Sequence, residues 1–289
     1  MKKSVHVRVP ATTANLGPGF DTLGIALNLH NQVELSLSSP RNTRSSVPQM
    51  VREAARLFFS RAGLKARGFE VSLRGEVPVA RGLGSSVAVR LGVVAGLNHL
   101  LGKPFDRQGL LEIVSTLEGH PDNAAPAVYG GLTVSGKSGD RVTVIHRKLP
   151  AALKFVAAIP DFEVRTGTAR RLLPRRVPFA DAVHNVNRAA LLVAALWDGR
   201  YREAGDFLED RLHQPARAKL VPQLFPALRA AKKAGAIGGW LSGSGSTIMA
   251  LTLANTAEVG RAMRKVFERG RVACEVRVME VDNEGFCCH

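Results

Sequence analysis

The stretch that most limits what this chain can fold into is Pro78 to Val89, PVARGLGSSVAV, where a strand-like segment passes into a helix-like one through Gly-Leu-Gly-Ser-Ser. From Glu70 to Val77, apolar Val71, Leu73 and Val77 alternate with polar Ser72, Arg74 and Glu76, which is the period of a half-buried strand. From Ser85 onward the pattern is that of an apolar helix, closed by Gly102. The first turn of such a helix carries backbone N–H groups without intrahelical partners and the positive end of the helix dipole. Gly82 and Gly84 leave room for a phosphate to approach that backbone, and the hydroxyls of Ser85 and Ser86 stand where they can touch the anion or its metal. The stretch has neither the Gly-Lys-Ser/Thr of a P-loop nor the spacing of a dinucleotide fingerprint. Glycine turns of this kind also serve as plain helix caps, so its meaning depends on the rest of the chain.

Val5, Val7 and Val9 alternate with His6 and Arg8 in a first strand that stops at Pro10. The loop from Pro10 to Gly24 packs Gly17, Pro18 and Gly19 between Asn15 and Asp21. It reads either as a structural Asx turn or as a pocket wall, with an amide at Asn15 and an anion at Asp21. Ile25 to Leu37 reads as a strand pair, Ser38 to Ser46 as a polar linker, and Met50 to Ala62 as an amphipathic helix. A further helix spans Asp106 to Glu118 on an apolar stripe of Leu110, Ile113, Val114 and Leu117. Glu112 lies opposite that stripe and Glu118 near its edge, so periodicity makes both surface residues. The helix runs into Glu-Gly-His-Pro-Asp-Asn, which crowds His120, Asp122 and Asn123 around a proline and aims polar groups from a loop.

Two units are expected, residues 1–150 and 151–289. The second opens with a strand from Leu153 to Ile159 and a helix start with Thr166 as N-cap and Arg170 one turn in. Helices follow at about 179–197, 201–210 and 222–235, with Arg217 in a polar connector. A second glycine-serine loop, Leu-Ser-Gly-Ser-Gly-Ser-Thr, contains Gly243 and feeds a strand, and a helix and a strand complete the chain.

Forty basic against twenty-four acidic residues give a net charge of +16, which raises the question of a nucleic-acid or membrane partner. The cations are spread along the chain, and aromatic residues are 6% with no stacking series, so neither partner is expected. Three cysteines, two of them adjacent, make no disulfide framework and no zinc spacing. With no apolar leader segment at the N-terminus, this points to a cytoplasmic protein.

The Pro10 to Gly24 loop, the Gly-Leu-Gly-Ser-Ser loop and the second glycine-serine loop, in that order, resemble the GHMP kinase superfamily over nearly the whole chain. ATTANLGPGFDTLG, EGHPDNAAPAVYGG, the Arg-Thr-x-x-Ala-Arg helix start and HQPARAKLVP resemble its homoserine kinase family. The resemblance implies a two-lobed α+β fold whose first lobe has a left-handed βαβ unit, ATP and Mg2+ as cofactors, and a homodimer. Pro78, Arg81, Gly82, Leu83, Gly84, Ser85 and Ser86 are then the ATP-phosphate residues, and Ser86 and Glu112, the latter by its distance from Asn123, the metal contacts. L-homoserine is the implied acceptor, with Arg170 and Arg217 for its carboxylate, Asp21 for its ammonium, Asn15, His120 and Gly243 beside them, and Thr166 on the reacting hydroxyl. Asn123 stands where many members carry an aspartate that can act as a base, and Asp122 is expected to point elsewhere, so the transfer is expected to be in-line without a protein base. Two readings compete: a mevalonate or sugar kinase of the same superfamily, and, remotely, a basic RNA-binding protein. Between Ser38 and Met50 the chain departs from the family pattern near the adenine.

Overall fold

The structure is a computed structural model that describes residues 4–38 and 47–289. The polar linker expected over Ser38 to Ser46 lies, past Ser38, outside the described residues. Alternating valines build β1 (Ser4–Ala14), which pairs antiparallel with β2 (Leu23–Ser38), and the register shifts once between Pro10 and Ala11. The expected strand pair over 25–37 is this one long strand. Its two halves take different partners: residues 31–38 pair with β3 (Gly68–Gly75), and residues 23–25 with a strand further along the chain.

Four helices pack on the side of this sheet that carries Val5, Val7, Val33 and Leu35: α1 (Gln49–Ala62), α2 (Ser85–Leu100), α3 (Arg107–Glu118) and α4 (Ala124–Tyr129). α2 buries Val87, Leu91, Val94 and Leu97 among others and is central to the layer, which explains its continuous apolar run. Asp106 caps α3 by accepting from the N–H of Gly109. β4 (Leu132–Ser138), the other partner of β2, and β5 (Arg141–Arg147) extend the sheet.

The chain then changes sheets. β6 (Lys154–Pro160) is followed by α5 (Thr166–Arg171), α6 (Phe179–Trp197), α7 (Tyr201–Ala204), α8 (Gln214–Arg217) and α9 (Leu224–Lys233). β7 (Gly238–Leu241), β8 (Ile248–Thr252), α10 (Thr256–Arg269) and β9 (Cys274–Met279) complete a four-stranded sheet in the order β7-β8-β6-β9. Thr166 is the first residue of α5, and Arg165, not Thr166, holds the cap position. The unit expected to run from 151 to 289 does not keep its tail, because β10 (Cys287–Cys288) returns to the first sheet and pairs with β1. A core of Leu23, Ile25 and Leu27 from the first sheet with Phe155, Ala157 and Trp240 from the second joins the two lobes. The functional loops open beside this junction.

Candidate active site

A cleft of about 350 Å³ collects residues from both lobes: Asn15 and Asp21, the glycine loop and the start of α2, the end of α3 with His120 to Asn123, the start of α5, Arg217 and Gly243. The two glycine loops and the end of β1 are tied together by backbone bonds. Thr12 N–H donates to the Leu83 carbonyl at 3.1 Å, Thr247 N–H to that of Arg81 at 3.1 Å, and Gly243 N–H to that of Ala14 at 3.2 Å. Gly82 and Gly84 have φ of +78° and +70°, where a Cβ is strained. A Cβ on Gly82 would also stand 2.1 Å from the Ser242 carbonyl oxygen, and one on Gly84 2.0 Å from the Thr12 hydroxyl. The room these glycines make is therefore filled by protein. No side chain caps α2, which leaves the N–H groups of its first turn facing the cleft.

Gly82, Gly84, Ser85 and Ser86 line the cleft. Pro78, Arg81 and Leu83 are not among its lining residues. The Arg81 side chain turns outward to Asp161 at 3.1 Å and Glu163 at 3.8 Å, and Leu83 is fully buried in the core between the lobes. Glu112 does not accompany Ser86 either. Its carboxylate accepts from Gln108 at 3.1 Å, and the same Gln108 amide reaches the Val142 carbonyl of β5. The residue beside Ser86 is Glu118, whose Oε2 accepts from the serine hydroxyl at 3.0 Å. Arg90, one turn along α2 from Ser86, donates from Nη1 to Glu118 Oε1 at 2.7 Å and to the Leu117 carbonyl at 2.8 Å, at the negative end of α3.

Across the cleft, Asp21 pairs with Arg170 at 2.7 Å. Arg217 is buried, donates from Nη1 to the Gly243 carbonyl at 2.8 Å, and keeps its Nε without a partner among the described residues. Both guanidinium groups lie over the ring of Phe20, at 5.5 Å for Arg170 and 5.0 Å for Arg217. Burial lowers the Arg217 pKa to about 10, so the group remains a cation at neutral pH. His213 packs on the same ring, and burial, helped by the Arg217 charge, lowers its pKa. It serves as a neutral support that bonds the Gly17 carbonyl at 2.8 Å.

The amide of Asn15 is used within the loop: Oδ1 accepts from Asp21 N–H at 3.0 Å and Nδ2 donates to the Gly243 carbonyl at 2.9 Å. Asn15 and Asp21 both have left-handed backbones, with φ of 74° and 55°, and these bonds hold them there. His120 is bonded through Nδ1 to Asp122 Oδ1, which also accepts from Asn123 N–H at 2.9 Å. Burial pulls the His120 pKa down, but the bond to and charge of Asp122 outweigh it, and the net shift is upward. Asp122 lines the cleft instead of pointing elsewhere, because the turn that gives Asn123 its place also holds that carboxylate inward. Ligand atoms of Asp21, His120 and Asp122 lie within 4.8 Å of one another. Asn123 Oδ1 accepts from the Thr12 hydroxyl at 2.8 Å, and Thr166 lines the mouth of the cleft. The sequence does not single out Thr12, Phe20 or Arg90, and its periodicity puts Glu118 on the surface. Of these only Glu118 carried a signal, as the last helical residue before the His120 loop.

Residues 49–131 match the family described as GHMP kinases N terminal domain, and residues 189–269 match GHMP kinases C terminal. The homoserine kinase of Moorella thermoacetica is 41% identical over 96% of this chain and 98% of its own length. That of Carboxydothermus hydrogenoformans is 40% identical over 97% and 95%. The crystal structure of homoserine kinase from Cytophaga hutchinsonii superposes with a TM-score of 0.89 at 31% identity, covering 100% of this chain and 98% of that one.

Proposed function

We infer, from a chain that belongs to the GHMP kinases and among them to the homoserine kinases, that this cleft transfers the terminal phosphoryl group of ATP to the hydroxyl of L-homoserine, giving O-phospho-L-homoserine and ADP. The observation that carries the reading is the pairing of two unlike halves in one cleft: an uncapped helix N-terminus with Ser86 and Glu118 on one side, and opposed charges on the other. A zwitterion with a primary alcohol needs both charges. Arg170 and Arg217 offer forked donors for the carboxylate, and the unpartnered Nε of Arg217 is a donor in want of an acceptor. Asp21 and Asp122, with His120 between them, form the acidic side for the ammonium.

A serine hydroxyl and a carboxylate oxygen 3.0 Å apart are hard oxygen donors that suit magnesium. Ser86 and Glu118 are therefore the residues that would hold it, and bound there it supplies charge neutralisation on the phosphate oxygens. Arg90 aims the Glu118 carboxylate. The first-turn N–H groups of α2 orient the phosphate chain, and Thr166 stands at the mouth to orient the alcohol. Asn123 cannot take a proton, and its amide oxygen is occupied by Thr12. Asp122 Oδ1 already accepts from His120 and from the Asn123 backbone. These residues position reactants, and a loose phosphoryl-transfer transition state asks little activation of the nucleophile, so the alcohol's proton leaves late, to an oxygen of the phosphoryl group being transferred, without a protein base.

The reading is tested by following ADP release with L-homoserine, mevalonate, galactose and 4-hydroxybutyrate in turn. Turnover is expected with L-homoserine alone, and equal turnover with 4-hydroxybutyrate would remove the acidic subsite from the account. If Asp122→Asn abolished turnover while homoserine binding and the fold survived, the base-free mechanism would fall.

A further inference from the structure

β10 returns to the edge of β1, and the sheet then gathers four metal-ligating side chains on one patch. His6 and His289 exchange both backbone hydrogen bonds, at 3.0 and 2.8 Å, so they stand directly opposite with Cα atoms about 5.5 Å apart. The backbone of His6 is thereby turned toward β10, which makes its pairing with Glu34 of β2 the narrow kind that brings side chains closest. Residues paired in this way project from the same side of a sheet. Val5, Val7 and Val9 lie in the core beneath the helices, and Cys288, opposite Val7, packs against that core. His6, its neighbours His289 and Glu34, and Cys287 two residues before His289 therefore share the outer face. The donors already stand in two pairs. Cys287 Sγ is 3.1 Å from His289 Nε2, and His6 Nε2 is 3.9 Å from Glu34 Oε1. Tetrahedral zinc, with bonds of about 2.3 Å to sulfur and about 2.0–2.2 Å to nitrogen and oxygen, holds such atoms roughly 3.3–3.6 Å apart. Both pairs are near that separation, and the His6 and Glu34 side chains, 60% and 48% exposed, have room to turn toward the other pair. Arg8 stands opposite Cys287, and its buried Nε has no partner among the described residues. A metal-bound thiolate beside it would supply the acceptor.

We propose that Cys287, His289, His6 and Glu34 form a binding site for a divalent transition cation of the zinc class, which pins β10 to β1 and β2. One thiolate, two imidazoles and one carboxylate are ligands that zinc accepts, and a thiolate selects against magnesium, which takes oxygen. The site therefore differs in kind from the oxygen pair of Ser86 and Glu118. Binding releases the thiol proton of Cys287 to solvent. Cys-x-His alone is too short for a zinc spacing in sequence, and only the strand order β10-β1-β2 adds His6 and Glu34 to it. His6 precedes Thr12 by six residues of β1, roughly 20 Å along the strand. The metal is thus a clamp on the sheet, remote from the cleft, and its test is independent of kinase activity.

The test titrates the reduced full chain, without an affinity tag, with cobalt(II) and then with zinc. Equimolar cobalt should produce the near-ultraviolet thiolate-to-cobalt absorption and the visible bands of a tetrahedral ion, and equimolar zinc should bleach both. The Asp21, His120 and Asp122 group in the cleft has no sulfur and cannot give the thiolate band. Cys287→Ser should abolish that band, whereas Cys288→Ser and Cys274→Ser should leave it. His6→Gln and Glu34→Gln should each weaken zinc binding by at least the roughly 10–100-fold that loss of an outer-shell partner costs, with circular dichroism unchanged. Zinc should raise the melting temperature of the parent and not that of Cys287→Ser. A titration without a thiolate band overturns the proposal. So does a band that survives Cys287→Ser, or a zinc affinity that either His6→Gln or Glu34→Gln leaves unmoved.

Discussion

Glu112 and Glu118 stand six residues apart on α3, and a helix turns about 600° over that interval, so the two carboxylates face different sides. Glu118 meets Ser86, whereas Glu112 meets Gln108 beside β5. Glu118→Gln keeps a hydrogen-bonding partner for Ser86 and removes the charge. It should lower kcat by roughly 100-fold and raise the magnesium concentration at half-saturation, with little change in the KM for homoserine. Glu112→Gln should alter kcat by no more than about twofold, the scale of an ordinary surface substitution. Magnesium titrations of the two variants decide it, and a loss confined to Glu112→Gln would return the metal contact to that residue. Glu112 reads from the sequence as the companion of Ser86 and does not stand beside it, because counting from a motif ignores the helical angle. Periodicity dismissed Glu118 because the edge of an apolar stripe looks like solvent, and here it is the wall of a cleft. Asn15 shows the reverse case. Its polar side chain was legible as part of a pocket wall, yet its amide is spent on Asp21 and Gly243, contacts that link residues as far apart as 15 and 243 and leave no trace in local pattern.

At the scale of elements, the glycine loop was legible because strand period, glycines and helix period change within a dozen residues. What the glycines face was not legible, since Ser242 and Thr12 arrive from distant parts of the chain. Gly82→Ala should therefore fail by separating the loops and not by blocking the nucleotide. Left-handed backbone alone costs roughly 1–2 kcal/mol, and the 2.1 Å approach to the Ser242 carbonyl forces the loops apart. A lower melting temperature together with a raised KM for both ATP and homoserine is expected; an unchanged melting temperature with only ATP affected would restore the simpler view. The tail turn after β9 makes a second case. Asp282 accepts from the N–H groups of Glu284 and Gly285 at 2.8 and 2.9 Å and from His30 at 2.7 Å. Burial pushes its pKa up, but these bonds, that of His30 foremost, bring it net below its ordinary 3.8. A depressed carboxylate contributes stability that is fully present above the unfolded pKa and is lost as pH falls through the folded one. Asp282→Asn should thus be less stable than the parent at neutral pH, and the gap should close below about pH 4. Urea unfolding across that range would refute this if the gap stayed constant.

The whole molecule changes sheets between Arg147 and Lys154, beside the division at 150 that the order of predicted strands suggests, but the change is one of strands and not of cores. Leu16, Leu23, Ile25 and Leu27 belong to the first lobe and are buried in a cluster with Phe155, Ala157, Ile159 and Trp240 of the second. Trp240 donates to the Thr13 hydroxyl at 2.9 Å, Asn28 N–H to the Glu280 carbonyl at 3.0 Å, and β10 supplies the edge partner of β1. Exposing four buried aliphatic side chains costs about 1.5–3 kcal/mol each, together comparable to the 5–15 kcal/mol that holds a typical domain folded. Neither lobe can bear that loss alone. Scanning calorimetry of the full chain should accordingly give one transition whose calorimetric and van't Hoff enthalpies agree, and residues 1–150 expressed alone should fail to unfold cooperatively. Two resolved transitions, or a fragment 1–150 with a sharp melt of its own, would mean that the shared core contributes little. The cleft would then lie between independently stable bodies, and the Asp21–Arg170 and Arg217–Gly243 contacts, which join residues of the two lobes or rest on their junction, would be free to open without cost to either.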